Sequence, residues 1–227
     1  MYWQEKQTNT NNNVPDDIVD VIYSIRCRAL PVDHAYALSQ TIKAALPWFA
    51  DEDNTAIHTI HVAETSNGWI RPEGPDELLY LSKRTKFALR VPNHRVEDAK
   101  ALIGLSLQVA GNDLEITKAS IRNLSALTTL FSRYVITDGT KDEAEFLERC
   151  QQELAGMNIK VKKMMCGMEK SINTPDGQIK ARSLMLADLD FDETINLQRQ
   201  GLGVHQLLGC GIFIPHKDIN EISEEQG

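Results

Sequence analysis

The sequence predicts an α+β chain built from two successive β-α-β-β-α-β units. Alternating apolar runs and amphipathic helical runs follow one another in that order twice across the 227 residues. Turn and cap residues such as Pro31, Pro47, Gly111, Gly156, Gly177 and Gly201 punctuate them. The length admits one large unit or two of about 100 residues each.

Residues 18–28 alternate, with Val19, Val21, Tyr23, Ile25 and Cys27 on one side, which predicts a half-buried strand. Asp33 is the expected N-cap of a helix that carries Ala35, Leu38, Ile42 and Ala45 and stops near Pro47. A short strand at 56–63 and a longer one at 78–91 follow. Asn93 is expected to cap a second helix bearing Val96, Ala99 and Ile103. Segments 107–109 and 114–116 flank the Gly111-Asn112 turn signal, and 121–124 continues the sheet.

The order then recurs. A strand at 130–136 leads to a helix at 142–155, closed by Gly156. Segments 159–172 and 179–189 form a hairpin around Pro175-Asp176-Gly177. Asp190 and Glu193 make a capping-box pair that opens a last helix, and 210–215 is the closing strand. This is the order of two tandem ferredoxin-like domains, at 17–126 and 127–216. A polar leader at 1–16 is expected to be disordered, and an acidic tail occupies 217–227. So widely used a fold leaves function to be argued from side chains.

Net charge is −8, so the molecule as a whole presents no attractive field to a polyanion. The charge is uneven, however. Residues 83–100 hold six basic residues, Lys83, Arg84, Lys86, Arg90, Arg95 and Lys100, against Glu97 and Asp98. Residues 159–186 hold Lys160, Lys162, Lys163, Lys170, Lys180 and Arg182 against Glu169 and Asp176. Such windows are either solvated strand faces or a phosphate-binding surface. The four cysteines, Cys27, Cys150, Cys166 and Cys210, are scattered with no CxxC pair, which supports neither a zinc site nor a disulfide framework. No metal and no cofactor is expected. Nor is a membrane partner, since no run is apolar enough to span a bilayer and no signal segment opens the chain. A cytoplasmic location follows as the expectation.

Between the last helix and the closing strand, Gly201-Leu202-Gly203 and Gly209-Cys210-Gly211 bracket residues 204–208. Glycines so dense need a backbone reason, either positive φ or close approach by another group. One reading is a helix C-cap followed by a bulge. The other is a loop whose N–H groups cradle phosphate. It is neither a Walker A loop nor a dinucleotide fingerprint.

The pattern GxGxxxxxGxGxxxP from Gly201 to Pro215 resembles the C-terminal glycine-rich loop of the repeat-associated mysterious protein superfamily. Within it the chain is most similar to the endoribonucleases that process CRISPR precursor RNA. The stretch Leu30-Pro31-Val32-Asp33-His34-Ala35-Tyr36-Ala37-Leu38 and the later Ala56-Ile57-His58-Thr59-Ile60-His61 resemble the Myxococcus-type branch. So does Leu81-Ser82-Lys83-Arg84-Thr85-Lys86 ahead of Leu89-Arg90-Val91-Pro92.

The resemblance implies two ferredoxin-like domains with an RNA cleft between them. It also implies a metal-independent cut in which a ribose 2′-OH attacks the adjacent phosphate, leaving a cyclic phosphate and a 5′-OH. The partner implied is CRISPR repeat RNA, as precursor and as processed guide RNA, with other CRISPR effector subunits as possible further partners. Such chemistry needs a base, an acid and a cation. His58, in an Ile-His pair after the first helix, and His34, beside Asp33 as a charge partner, are the catalytic candidates. A helix-capping histidine and a satisfied strand histidine are the plain alternatives; His61, His94 and His216 rank behind both.

Contacts to RNA are expected from Lys83, Arg84 and Lys86 on one strand, and from Lys162, Lys163, Lys180 and Arg182 on the hairpin. Gly201, Gly203, Gly209, Gly211 and His205 of the glycine loop complete the set. A non-catalytic guide-RNA-binding subunit is the first competing reading, and a ferredoxin-like small-molecule sensor the second.

Overall fold

Apolar alternation on one central strand organises the first half of the molecule. In the computed structural model, which describes residues 13–62, 74 and 77–216, β1 (Ile18–Arg26) aims Val19, Val21, Tyr23 and Ile25 into a single core. Its neighbours are β5 (Lys86–Pro92) and β7 (Asn112–Asn123), both antiparallel to it. β3 (Ala56–His58) and β6 (Ser106–Val109) close the edges, giving the order β3-β5-β1-β7-β6. The helix α1 (Ala35–Ala45) and the short α2 (Val96–Ala99) cover the apolar face through Leu38, Ile42, Val96 and Ala99. β2 (Ala29–Pro31) pairs with β4 (Leu78–Tyr80) as a separate ribbon.

The second half lays out β8 (Leu130–Ile136), β9 (Lys163–Thr174), β10 (Gly177–Ala187) and β11 (Ile214–Pro215) in the order β11-β8-β10-β9, all antiparallel. α3 (Glu143–Gly156) and α4 (Phe191–Gln200) pack Phe146, Cys150, Leu154 and Leu197 against its apolar face. The whole is a mixed α/β architecture with antiparallel sheets.

Several local expectations hold. Asp142 caps α3 by accepting from the Glu145 N–H, and Asp190 and Glu193 form the capping box of α4. Others need correction. His34, not Asp33, occupies the N-cap position of α1 and makes no side-chain cap; Asp33 instead accepts from the Asn173 N–H at 2.8 Å. Asn93 caps nothing either, because Pro92 holds the N-cap position of a 3₁₀ turn and the second helix is a single α turn between 3₁₀ segments. The run 78–91 is two strands parted by a turn, in which the Thr85 N–H donates to Ser82 O at 3.0 Å. The strand expected to reach residue 63 ends at His58, because Thr59 to Val62 leave the sheet to meet the second half. The closing strand shrinks to Ile214 and Pro215. The acidic tail and residues 1–12 of the leader lie outside the described residues.

One buried ion pair joins the two halves. Asp20 on β1 and Arg90 on β5 face each other in register, and each is 2% exposed. Arg90 Nε and Nη2 donate to the two Asp20 oxygens at 2.8 and 3.2 Å. Its Nη1 reaches across to Gln198 O at 2.6 Å and Phe213 O at 3.2 Å, both in the second half. Gln198 holds the connecting segment in turn, donating to Ser125 O and accepting from the Ser125 N–H. Burial alone would raise the Asp20 pKa, but Arg90 and then His58 hold it well below the usual carboxylate range.

Breaking such a pair strands a buried charge. Arg90→Met is expected to lower stability by about 3–5 kcal/mol, read as a drop in urea midpoint, with much of the loss recovered in Asp20→Leu/Arg90→Met. Because folding depresses the Asp20 pKa, its contribution is complete above the ordinary carboxylate pKa and is lost as pH falls through the lower folded value. Acid titration of the urea midpoint, beside Asp20→Asn, measures this.

Candidate functional site

α1, β3 and the glycine-rich loop converge where the two halves meet. Ala35 at the start of α1 packs with Ile172, Cys210, Tyr134 and Leu208 of the second half. The three foremost histidines lie around this junction in different settings. His34 is 2% exposed and both ring nitrogens are engaged. Nδ1–H donates to Pro31 O at 2.8 Å, and Nε2 accepts from the Ile60 N–H at 3.0 Å. These contacts require the neutral Nδ1–H tautomer. The Asp33 carboxylate, the expected charge partner of His34, accepts from the Asn173 N–H. His34 instead ties the start of α1 to the segment that follows β3.

His58 sits on edge strand β3 with its Nε2–H donated to Asp20 Oδ1 at 3.2 Å. Its side chain is 14% exposed. Among the described residues, Nδ1 has no hydrogen-bond partner. A histidine oriented by an ionised carboxylate, with its second nitrogen available, is a competent proton acceptor. His61 lies three residues on, Nε2 at 2.6 Å from Thr59 Oγ1 and its ring stacked on Tyr134 with centroids 6.4 Å apart. It is half-buried and reaches across the junction to Tyr134.

The glycine loop has a packing reason at three of its four glycines. A Cβ at Gly201 would stand 2.7 Å from Gly211 O, one at Gly211 would stand 2.0 Å from Leu202 O, and one at Gly209 would stand 2.5 Å from Thr59 Cγ2. Gly209 therefore lets the loop lie against the residue after β3. At Gly203 the nearest atom would be 4.0 Å away. Many loop N–H groups are used internally: Leu202 donates to Gly211 O, Gly211 to Tyr134 O and Cys210 to His205 O. Gly203, Val204 and His205 are exposed, and their N–H groups have no partner among the described residues. The loop is thus closely packed at Gly201 and at Gly209 and Gly211, with exposed donors between them.

The expected basic contacts fall in three places. Lys180, Arg182 and His205 line one hollow of ≈770 Å³ beside the β8–α3 connection. Lys162 and Lys163 stand at the far end of β9, bound to Asp190 at 2.7 Å and Asp188 at 2.8 Å. Lys83 and Arg84 occupy the turn before β5 and only Lys86 is on the strand, so Arg84 and Lys86 do not share the strand face their two-residue spacing predicts. Burial pushes the thiols of Cys150 and Cys210 up to about 12, which removes them as nucleophiles near neutral pH. Among the described residues no three His, Cys, Asp or Glu side chains gather as a metal-binding group, and no helix is long and apolar enough to cross a membrane.

A family model described as Cas6 Crispr matches residues 19–218, which spans both sheets, the histidine segment and the glycine loop. The chain belongs to the Cas6 family. The CRISPR-associated endonuclease Cas6 of Myxococcus xanthus (strain DK1622) is 25% identical over 197 residues, covering 87% of this chain and 81% of that protein. A solved CRISPR-associated Cas6 protein superposes with a TM-score of 0.61 at 13% identity, over 88% of this chain and 100% of the other. The Cas6-related protein of Pyrococcus furiosus also gives 0.61 at 13% identity, over 88% and 99%. An RAMP protein described as binding different RNA substrates gives 0.59 at 14% identity, over 88% and 100%. At these identities the superpositions establish a shared fold with Cas6 structures.

The glycine contacts rank three alanine substitutions. Gly203→Ala meets open space and is expected to cost only the left-handed backbone, about 1–2 kcal/mol. Gly209→Ala adds the Thr59 clash, and Gly211→Ala, blocked by backbone, is expected to exceed about 3 kcal/mol. Denaturation midpoints of the three proteins check the order, and Thr59→Ala is expected to recover part of the Gly209→Ala loss alone.

Proposed function

We propose that this Cas6-family protein is a metal-independent endoribonuclease that binds CRISPR repeat hairpins in precursor RNA and cuts them to guide RNAs. The Asp20–His58 pair carries the reading. Nδ1 of His58 takes the proton of the ribose 2′-OH, whose oxygen forms a bond to the adjacent phosphorus as the bond to the 5′-oxygen breaks. The leaving 5′-oxygen takes a proton from solvent, giving a cyclic phosphate and a 5′-OH, and His58 then returns its proton to solvent. Asp20, kept ionised by Arg90, stabilises the imidazolium that forms. Lys83, Arg84 and Lys86, with Arg182 and His205 beside the glycine loop, supply phosphate contacts. Lys162, Lys163 and Lys180, already paired with carboxylates, contribute less.

His34 serves this site as a positioning residue rather than as a proton carrier. His61 is the second acid–base candidate, favoured by its place against Tyr134 at the junction. The second sheet runs in the order fourth, first, third, second strand of a β-α-β-β-α-β unit, and the first does so with β7 as the fourth strand and β6 as an added edge, which supports two ferredoxin-like domains at 17–126 and 127–216. The precursor, the processed guide RNA and further CRISPR effector subunits are the partners that fit this reading, in the cytoplasm.

Single-turnover cleavage of a repeat RNA in EDTA tests it. His58→Asn is expected to slow cleavage by about 10²–10⁴-fold while affinity for a substrate with a 2′-deoxy cut site stays near wild type. His61→Asn is measured alongside; a larger loss there moves the proton transfer to His61. Wild-type rates in both variants overturn the histidine assignment. Activity that vanishes in EDTA and returns with magnesium overturns the metal-free route. Tight binding without cleavage by the wild type favours the guide-RNA-binding subunit.

A further inference from the structure

Where the cations stand matters more than how many each window holds. The basic hairpin is locally neutralised: Lys162 is bound to Asp190, Lys163 to Asp188 and Lys180 to Glu169, while Arg182 donates to Gly167 O. A cation already holding a carboxylate gains less from a phosphate, because it must give up one anion for another.

The face of the first sheet away from its apolar core is different. Strand alternation puts Asp20, Ile22 and Ser24 of β1 on that face. Register sets Lys86, Ala88 and Arg90 of β5 on one side of them, and Lys118, Ser120 and Arg122 of β7 on the other. Two basic rows result. Lys86 and Lys118 flank Ser24, with Lys86 Nζ donating to Ser24 Oγ at 2.6 Å. Arg90 and Arg122 flank Asp20. The rows lie four residues apart along β1, about 13 Å at strand spacing, with the buried Ala88 and the exposed Ser120 between them.

The two rows thus hold four cations and a single carboxylate. Lys86 and Lys118 are exposed and have no acidic partner among the described residues. Arg122 shares Asp20 with Arg90 and keeps its side chain 53% exposed. Glu115 of β7 lies past the bulge and is taken by Arg26.

The geometry points to this face as a phosphate-binding track for RNA, with Lys86, Lys118 and Arg122 as its contacts. The inference rests on the RNA-cleaving reading above and adds a surface to it. Neither Lys118 nor Arg122 stands in a basic window of the sequence, since Lys118 and Arg122 are spread along one strand among neutral residues. The track also has a direction. His58 on β3 pairs with Ala88, between the two rows, and touches Asp20. A backbone lying along the rows passes beside the proposed base.

The test is a binding titration of labelled repeat hairpin RNA, 2′-deoxy at the cut, over a series of salt concentrations. Lys86→Gln/Lys118→Gln is expected to lower the slope of log K against log salt by about 1.4–1.8, for two contacts at about 0.7–0.9 each, and to weaken binding about tenfold or more. Lys162→Gln/Lys180→Gln is expected to change the slope by well under half as much. An unchanged slope in the first pair, or a larger change in the second, with cleavage by the wild type intact, overturns the track and leaves the endoribonuclease reading standing. A wild type that neither retains nor cuts the RNA overturns both.

Discussion

The contact between Asp20 and Arg90 is the constraint on which the rest of the molecule turns. A carboxylate and a guanidinium buried this deeply are tolerated only when nearly every polar atom is engaged. Here two guanidinium nitrogens satisfy the carboxylate, and the third reaches two carbonyls of the other half. One side chain therefore finishes a sheet, fixes a relative placement and keeps Asp20 charged for His58. Stability, assembly and the electrostatics of the proposed base thus share one group.

The glycine loop plays a matching part on the other side of the junction. Its close approaches, Gly211 to Leu202 and Gly209 to Thr59, let two backbones run nearer than any side chain permits. The segment after β3 is thereby held from three directions: by Asp20 at His58, by His34 at the Ile60 N–H, and by Gly209 at Thr59. Residues that bear no resemblance in chemistry cooperate because each fixes the same three-residue stretch, His58 to Ile60.

Much of this was legible in the sequence, and the rest was hidden for identifiable reasons. Periodicity gave the alternation of β1, and cap chemistry gave the starts of α3 and α4, because both signals are local. The glycine spacing and the two Ile-His pairs pointed to the family that the comparisons bear out. Asp33 as a cap was misread, because a residue 140 positions away, Asn173, competes for its carboxylate. Arg90 was counted as one surface charge among six, whereas its partners lie 70, 108 and 123 residues off. The same blindness hid Lys118 and Arg122, which become neighbours of Lys86 and Arg90 only when β1 is laid between their strands. Charge windows along a chain register sequence neighbours; a sheet face is composed of cross-strand ones.

Gln198 carries a consequence of a different kind. Its amide both donates to and accepts from the backbone of Ser125, so the connection between the halves is stitched to α4 rather than left as a swivel. A molecule without a swivel meets its ligand ready-shaped. Encounter then needs no opening step, and its speed is set by diffusion, orientation and the long-range field. Under the proposed function, selectivity among RNAs accordingly falls to how long each one stays, since a rigid receptor admits all comers at similar rates and parts from them at different ones.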